Sequence, residues 1–137
     1  MMAWVVDSCI LLDVAENDPA FGIASARLLD RLSADGLLAC PVSIVEIAPQ
    51  FGGNLGDCRR FLSGCGISDL VAWTWQDTES SFEGWNRYVA MKKAGGRKRP
   101  VAALLIGGFA VRFQGLVTRN RAHFAPYYPR LEIVSPE

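Results

Sequence analysis

Ala3-Trp4-Val5-Val6-Asp7-Ser8-Cys9-Ile10-Leu11-Leu12 opens as a short β-prone run and breaks at a carboxylate. An aliphatic stretch then resumes at once. A strand that ends in Asp-Ser and feeds a helix is the first unit of an alternating pattern. Four more short apolar runs repeat it. Leu37-Leu38-Ala39-Cys40 follows Gly36, which closes the helix before it, and Leu70-Val71-Ala72-Trp73, Gly115-Leu116-Val117-Thr118 and Leu131-Glu132-Ile133-Val134 come later.

Between these runs the apolar spacing is helical. Ala24, Leu28, Leu29 and Leu32 mark one stripe, and Ile44, Ile47 and Ala48 a shorter one. Asp77 is the expected N-cap of a helix carrying Phe82, Trp85 and Val89. Val101 to Phe113 is apolar on nearly every face, as suits a helix in the middle of a domain. Gly52-Gly53-Asn54-Leu55-Gly56 and Ala94-Gly95-Gly96 read as loops. Short strands alternating with helices predict an α/β/α sandwich around a central parallel sheet of about five short strands. In such sheets, sites form beyond the carboxyl ends of the strands. Asp7 follows the first strand and Asn120 lies just past the fourth.

At 137 residues the chain is one domain's worth, read as a single domain over 1–137. Pro100 to Phe113, the longest apolar stretch, is too short to span a bilayer. The first residues lack a basic flank and carry Asp7 inside the first apolar run, which argues against a signal peptide and for a cytoplasmic protein. Basic and acidic residues balance at 14 each, so net charge gives no reason to expect nucleic acid. Lys92, Lys93, Arg97, Lys98 and Arg99 nevertheless crowd one stretch, where they could meet phosphates or form a solvated helix end. Cys9, Cys40, Cys58 and Cys65 lack the paired spacing of a zinc site, and His123 is the only histidine. Reduced, partly buried thiols are expected. Trp73, Trp75, Phe82, Trp85 and Tyr88 are expected to pack inward rather than stack on bases.

Two carboxylates stand out. Asp7 at a strand end is costly to desolvate unless it binds a cation or accepts several hydrogen bonds, and capping the following helix is the other reading. Glu46, in Ser43-Ile44-Val45-Glu46-Ile47, sits in an apolar helical turn, either as a site acid or as an exposed glutamate of an amphipathic helix. Together with the carboxyl half these pieces resemble a family. Arg99-Pro100-Val101-Ala102-Ala103-Leu104-Leu105-Ile106-Gly107-Gly108-Phe109-Ala110, Gly115-Leu116-Val117-Thr118-Arg119-Asn120-Arg121, and the closing Tyr127-Tyr128-Pro129-Arg130-Leu131-Glu132-Ile133-Val134 are similar, in order and spacing, to PIN-domain proteins of the VapC toxin type.

The resemblance implies a PIN-like (RNase H-like) fold and a metal-dependent endoribonuclease, the toxin component of a VapBC-type toxin–antitoxin pair. It implies Mg2+ or Mn2+ as cofactor, RNA as substrate, a VapB-type antitoxin across the acidic groove, and a homodimer. Asp7 and Glu46 match the first two acids, with Ser8, Ser43 and Thr118 as hydrogen-bonding support for them. Lys98, Arg99 and Arg119 are the RNA-binding candidates. Ala103 stands where the family has a third acid and Asn120 where it often has a fourth. An amide oxygen can ligate a metal without adding charge, and alanine can do neither. The expected loss of cation binding is roughly 2–5 kcal/mol.

Asp7, Glu46 and Asn120 are thus expected to converge at one end of the sheet, with Ala103 facing the same cleft. Three accounts fit the missing acid: a naturally inactive descendant, a disarming replacement of aspartate by alanine, or a substitute acid such as Asp77 or Glu79. The alternative function, from a different class, is a non-catalytic RNA- or partner-binding module.

Overall fold

The structure is a computed structural model and describes residues 3–92 and 100–137. It is an α/β fold whose five strands are all parallel, β1 (Trp4–Val6), β2 (Leu37–Leu38), β3 (Ile67–Ser68), β4 (Gly115–Val117) and β5 (Ile133–Val134), in the order β3-β2-β1-β4-β5. The helices are α1 (Ser8–Ala15), α2 (Gly22–Leu32), α3 (Pro41–Glu46), α4 (Leu55–Gly64), α5 (Trp75–Met91) and α6 (Val101–Ala110).

Alternation along each strand divides the core in two. Trp4, Val6, Leu37 and Val117 join Ile10, Leu28 and Leu62 on one side of the sheet. Val5, Leu38 and Leu116 join Ile106, Phe109 and Phe124 on the other. β1 is central, paired with both β2 and β4. A strand buried on both faces reads as a continuous apolar run, which is why Trp4-Val5-Val6 shows no polar alternation.

α5 and α6 lie against each other at close range. A Cβ on Gly108 would collide with Ser81 Oγ and lie 2.8 Å from Ser81 N and Cα. Gly84 and Gly107 make room in the same way for the ring of Tyr128, whose hydroxyl donates to the Leu104 carbonyl. At the start of α5, Asp77 accepts from the Thr74 backbone N–H (2.8 Å) and from both Nε and Nη2 of Arg112 (3.0 and 2.9 Å). Arg112 also donates to the Ala72 carbonyl and lies over the Phe109 and Phe113 rings.

Four expectations are corrected. The third strand is Ile67–Ser68, not Leu70–Trp73, and Leu70 is exposed. The N-cap of α5 is Thr74, with Asp77 three residues inside the helix, where its carboxylate reaches back to accept from the Thr74 N–H and also binds Arg112. Asn54 caps α4 by accepting from Asp57 N–H, so the glycine loop ends in a helix that the sequence reading left out. Trp75 and Phe82 face solvent at 74% and 76% exposure. No described helix is long and apolar enough to cross a membrane.

Candidate acidic site at the carboxyl end of the sheet

β1 delivers Asp7 to the carboxyl edge of the sheet, and β4 delivers Thr118 beside it. The two strands pair in register, Val6 opposite Val117. The next residue on each strand therefore points to the side occupied by Val5 and Leu116. Asp7 N–H donates to the Val117 carbonyl (2.9 Å), continuing the ladder one residue past the strand. The Thr118 hydroxyl donates to Asp7 Oδ2 (2.7 Å), and the Cys9 thiol approaches the same oxygen at 3.3 Å. Asp7 Oδ1 accepts from Ser8 N–H (2.8 Å). The two readings of Asp7 are therefore compatible, for it caps α1 while standing at the strand end.

Ser8 joins the two acids. Its amide binds Asp7, and its hydroxyl donates to Glu46 Oε1 at 2.6 Å. Each carboxylate is thus one hydrogen bond from the same residue. Asp7 is buried and Glu46, at the end of α3, is exposed, so the pair opens to water on the Glu46 side. Burial pushes the Asp7 carboxyl above its usual range, against the pull of the Thr118, Cys9 and Ser8 hydrogen bonds and of nearby His123. Burial also holds the Cys9 thiol protonated, with its pKa raised to about 11, and the Asp7 charge adds to the effect.

Asn120 joins the cluster through its backbone N–H, which donates to Thr118 Oγ1 (3.0 Å). Ser43 lies on α3 one turn before Glu46, fully buried, and its hydroxyl has no hydrogen-bond partner among the described residues. Ala103 occupies the first turn of α6. It is half-buried and packs on the side of the sheet that holds Val5, Leu38 and Cys40, the side to which Asp7 points. No protein-family model matches the chain, and no curated protein does either.

Arg119 is held by two hydrogen bonds to Asp13, from Nε at 2.7 Å and Nη2 at 3.0 Å, and its guanidinium lies 4.0 Å from the centre of the Phe21 ring. Asp13 is buried and also accepts from Ser25 Oγ. Arg119 therefore ties the end of β4 to α1 rather than extending freely into solvent. Lys98 and Arg99 lie outside the described residues. Asp77, named as a possible substitute acid, is held by Arg112 and by the Thr74 backbone N–H. Glu79 follows it on the same early turns of α5, exposed.

The sequence reading missed Cys9 and Asp13. Both fall on α1, at two and six residues after Asp7, and a polar residue inside an aliphatic helix was the available signal.

The donor set suits a hard cation. Asp7 and Glu46 offer carboxylate oxygens, and Mg2+ is commonly held through one or two carboxylates while it keeps several waters. A cation would also offset the cost of burying the Asp7 charge. Among the described residues no group of three or more acidic, histidine or cysteine side chains gathers to hold a metal.

Proposed function

We propose that this chain is a ribonuclease scaffold of the VapC toxin type whose acidic site is reduced to two carboxylates, so that it binds Mg2+ or Mn2+ weakly and cleaves RNA slowly or not at all. The observation that carries the reading is the Asp7–Ser8–Glu46 network at the carboxyl ends of the parallel strands, and Ala103 lies in the first turn of α6, packed on the core of the side of the sheet that holds Val5. Asp7 and Glu46 would hold the cation. Its chemistry, when bound, is to lower the pKa of a water and neutralise the scissile phosphate. The chain's own residues set the stage for it. Thr118 and Ser8 fix the Asp7 carboxylate, and Ser8 fixes Glu46 on the side open to water. RNA as substrate, a VapB-type antitoxin laid across this groove, a second copy of the chain and a cytoplasmic location belong to the same proposal.

The test is RNA cleavage by the purified chain in Mg2+ and Mn2+. Little or no metal-dependent cleavage is expected. Robust cleavage abolished by Asp7→Ala would overturn the claim of a weakened site. Saturable RNA or partner binding without cleavage, unchanged when Ala103→Asp is made, would favour the non-catalytic binding module instead.

A further inference from the structure

Past Val6 and Val117 the two central strands part. The last rung between them is the Asp7 N–H on the Val117 carbonyl. Beyond it the chain enters α1 on one side and the turn leading to Arg121–His123 on the other. The backbone of Thr118 then belongs to β5. Its N–H donates to the Val134 carbonyl (3.0 Å), and its carbonyl accepts from Ser135 Oγ (2.7 Å). Among the described bonds, side chains alone hold this segment to α1. One is the Thr118 hydroxyl, which donates to Asp7 Oδ2 and accepts from the Asn120 N–H. The other is Arg119, the next residue, whose Nε and Nη2 bind the two oxygens of Asp13 on α1. A bidentate pair of this kind fixes orientation as well as distance. Asp13 is buried and is steadied from α2 by Ser25, while the Phe21 ring floors the guanidinium. Burying a carboxylate inside an aliphatic helix is costly, and the arginine that offsets the cost comes from the residue after Thr118.

We infer that Asp13 and Arg119 are positioning residues of the acidic site, acting on Asp7 through Thr118. The pair spans the place where the ladder stops. It thereby presents the Thr118 hydroxyl to Asp7 Oδ2 while Oδ1 stays on the Ser8 N–H. With both oxygens held, the Asp7 carboxylate cannot turn without giving up Ser8, the residue whose hydroxyl holds Glu46. Arg119 serves the site from behind, with Nε and Nη2 committed to Asp13, rather than reaching for phosphate. The inference rests on the reading of Asp7 and Glu46 as the acids of the site.

Removing one partner alone would strand a buried charge, so the test replaces both. Asp13→Leu together with Arg119→Met exchanges the pair for apolar side chains, a change that buried pairs often tolerate without loss of stability. Arg119→Lys keeps the charge but not the two-pronged grip. Amide hydrogen exchange of the intact chain, without metal or RNA, reads the site at Ser8 and Asn120, whose N–H groups end on Asp7 Oδ1 and Thr118 Oγ1. It reads the sheet at Ala39 and Leu116. In the double variant Ser8 and Asn120 should exchange roughly five- to tenfold faster relative to Ala39 and Leu116, the worth of about one hydrogen bond. Arg119→Lys should fall between parent and double variant, and it decides the matter alone if the double variant does not fold. Site and sheet amides that move together would show a pair that merely holds the fold, and unchanged Ser8 and Asn120 would show no coupling; either result overturns the inference. The Mn2+ shift in melting temperature, taken on the same samples, should be smaller in the variants than in the parent. A parent with no Mn2+ shift would count against the proposed metal site and leave the exchange result standing.

Discussion

Ala103 and Asp7 make opposite demands on charge, and each yields a prediction. Ala103→Asp places a carboxylate on the side of the sheet to which Asp7 points. If that carboxylate reaches the pair, Mn2+ should raise the melting temperature of the variant more than that of the parent, and RNA cleavage should appear or increase. If the side chain is instead trapped against the core on that side of the sheet, the variant should be less stable by roughly 2–4 kcal/mol with or without metal. That result would detach Ala103 from the site. Asp7 is already buried, with its pKa raised above the usual 3.8 by desolvation. The folded state therefore holds this proton more tightly than the unfolded chain does. Asp7 accordingly costs stability as pH rises from about 3.8 through its folded pKa, and the loss persists above it. In the presence of a chelator, Asp7→Asn should melt higher than the parent at neutral pH, and the advantage should shrink on acidification. Mn2+ should no longer stabilise the variant. A melting difference that widens toward acid pH would refute this account. Asp7 and Glu46 were legible because a carboxylate amid aliphatic residues demands an explanation. Ser8 was named as support for the acids from the resemblance alone, and that its amide serves Asp7 while its hydroxyl serves Glu46 depends on the approach of α3.

The elements divide into those that hold the site and those that hold the molecule together. α1, α3 and the end of β4 carry the acidic network, whereas α5 is anchored at its other end by Asp77. That carboxylate is fully buried and bonded to Arg112, so removing it leaves a largely desolvated guanidinium without its counter-charge. Asp77→Ala should cost about 3–5 kcal/mol in urea unfolding while leaving the Mn2+ response of the folded protein unchanged. A lost metal response in a variant that still folds would make Asp77 a substitute acid after all. The same pair explains a misreading. From sequence, Asp77 before an amphipathic run looks like the residue that starts the helix, and only an arginine thirty-five positions later shows that it stands inside. The third strand was misplaced for a related reason. Leu70-Val71-Ala72-Trp73 is the more apolar run, but part of it serves the packing of the α5–α6 layer, with Trp73 stacked on Phe109. The two residues Ile67–Ser68, which complete the sheet, are too few to declare a period.

At the scale of the whole molecule, alternation of short strands and helices was sufficient for the parallel sheet, because each strand sits between helical layers and must be apolar on both faces. Strand order was not readable from the chain, since it depends on which helices cross which face. The sheet has its first strand in the middle, gripped on one side by β2 and on the other by β4. The hydroxyl that fixes the Asp7 carboxylate accordingly comes from Thr118, 111 residues downstream. During synthesis the consequence is temporal. A nascent chain stalled before β4 has left the ribosome carries Asp7 and Glu46 but has no Thr118 to set the first of them, and β1 lacks half of its ladder. Arrested chains ending near residue 110 should therefore show no Mn2+-dependent protection of Asp7 from protease or label, whereas chains with residues 115–134 clear of the exit tunnel should. Whatever this site does, it is assembled only once residues 115–134 have been made, more than a hundred codons after its first carboxylate.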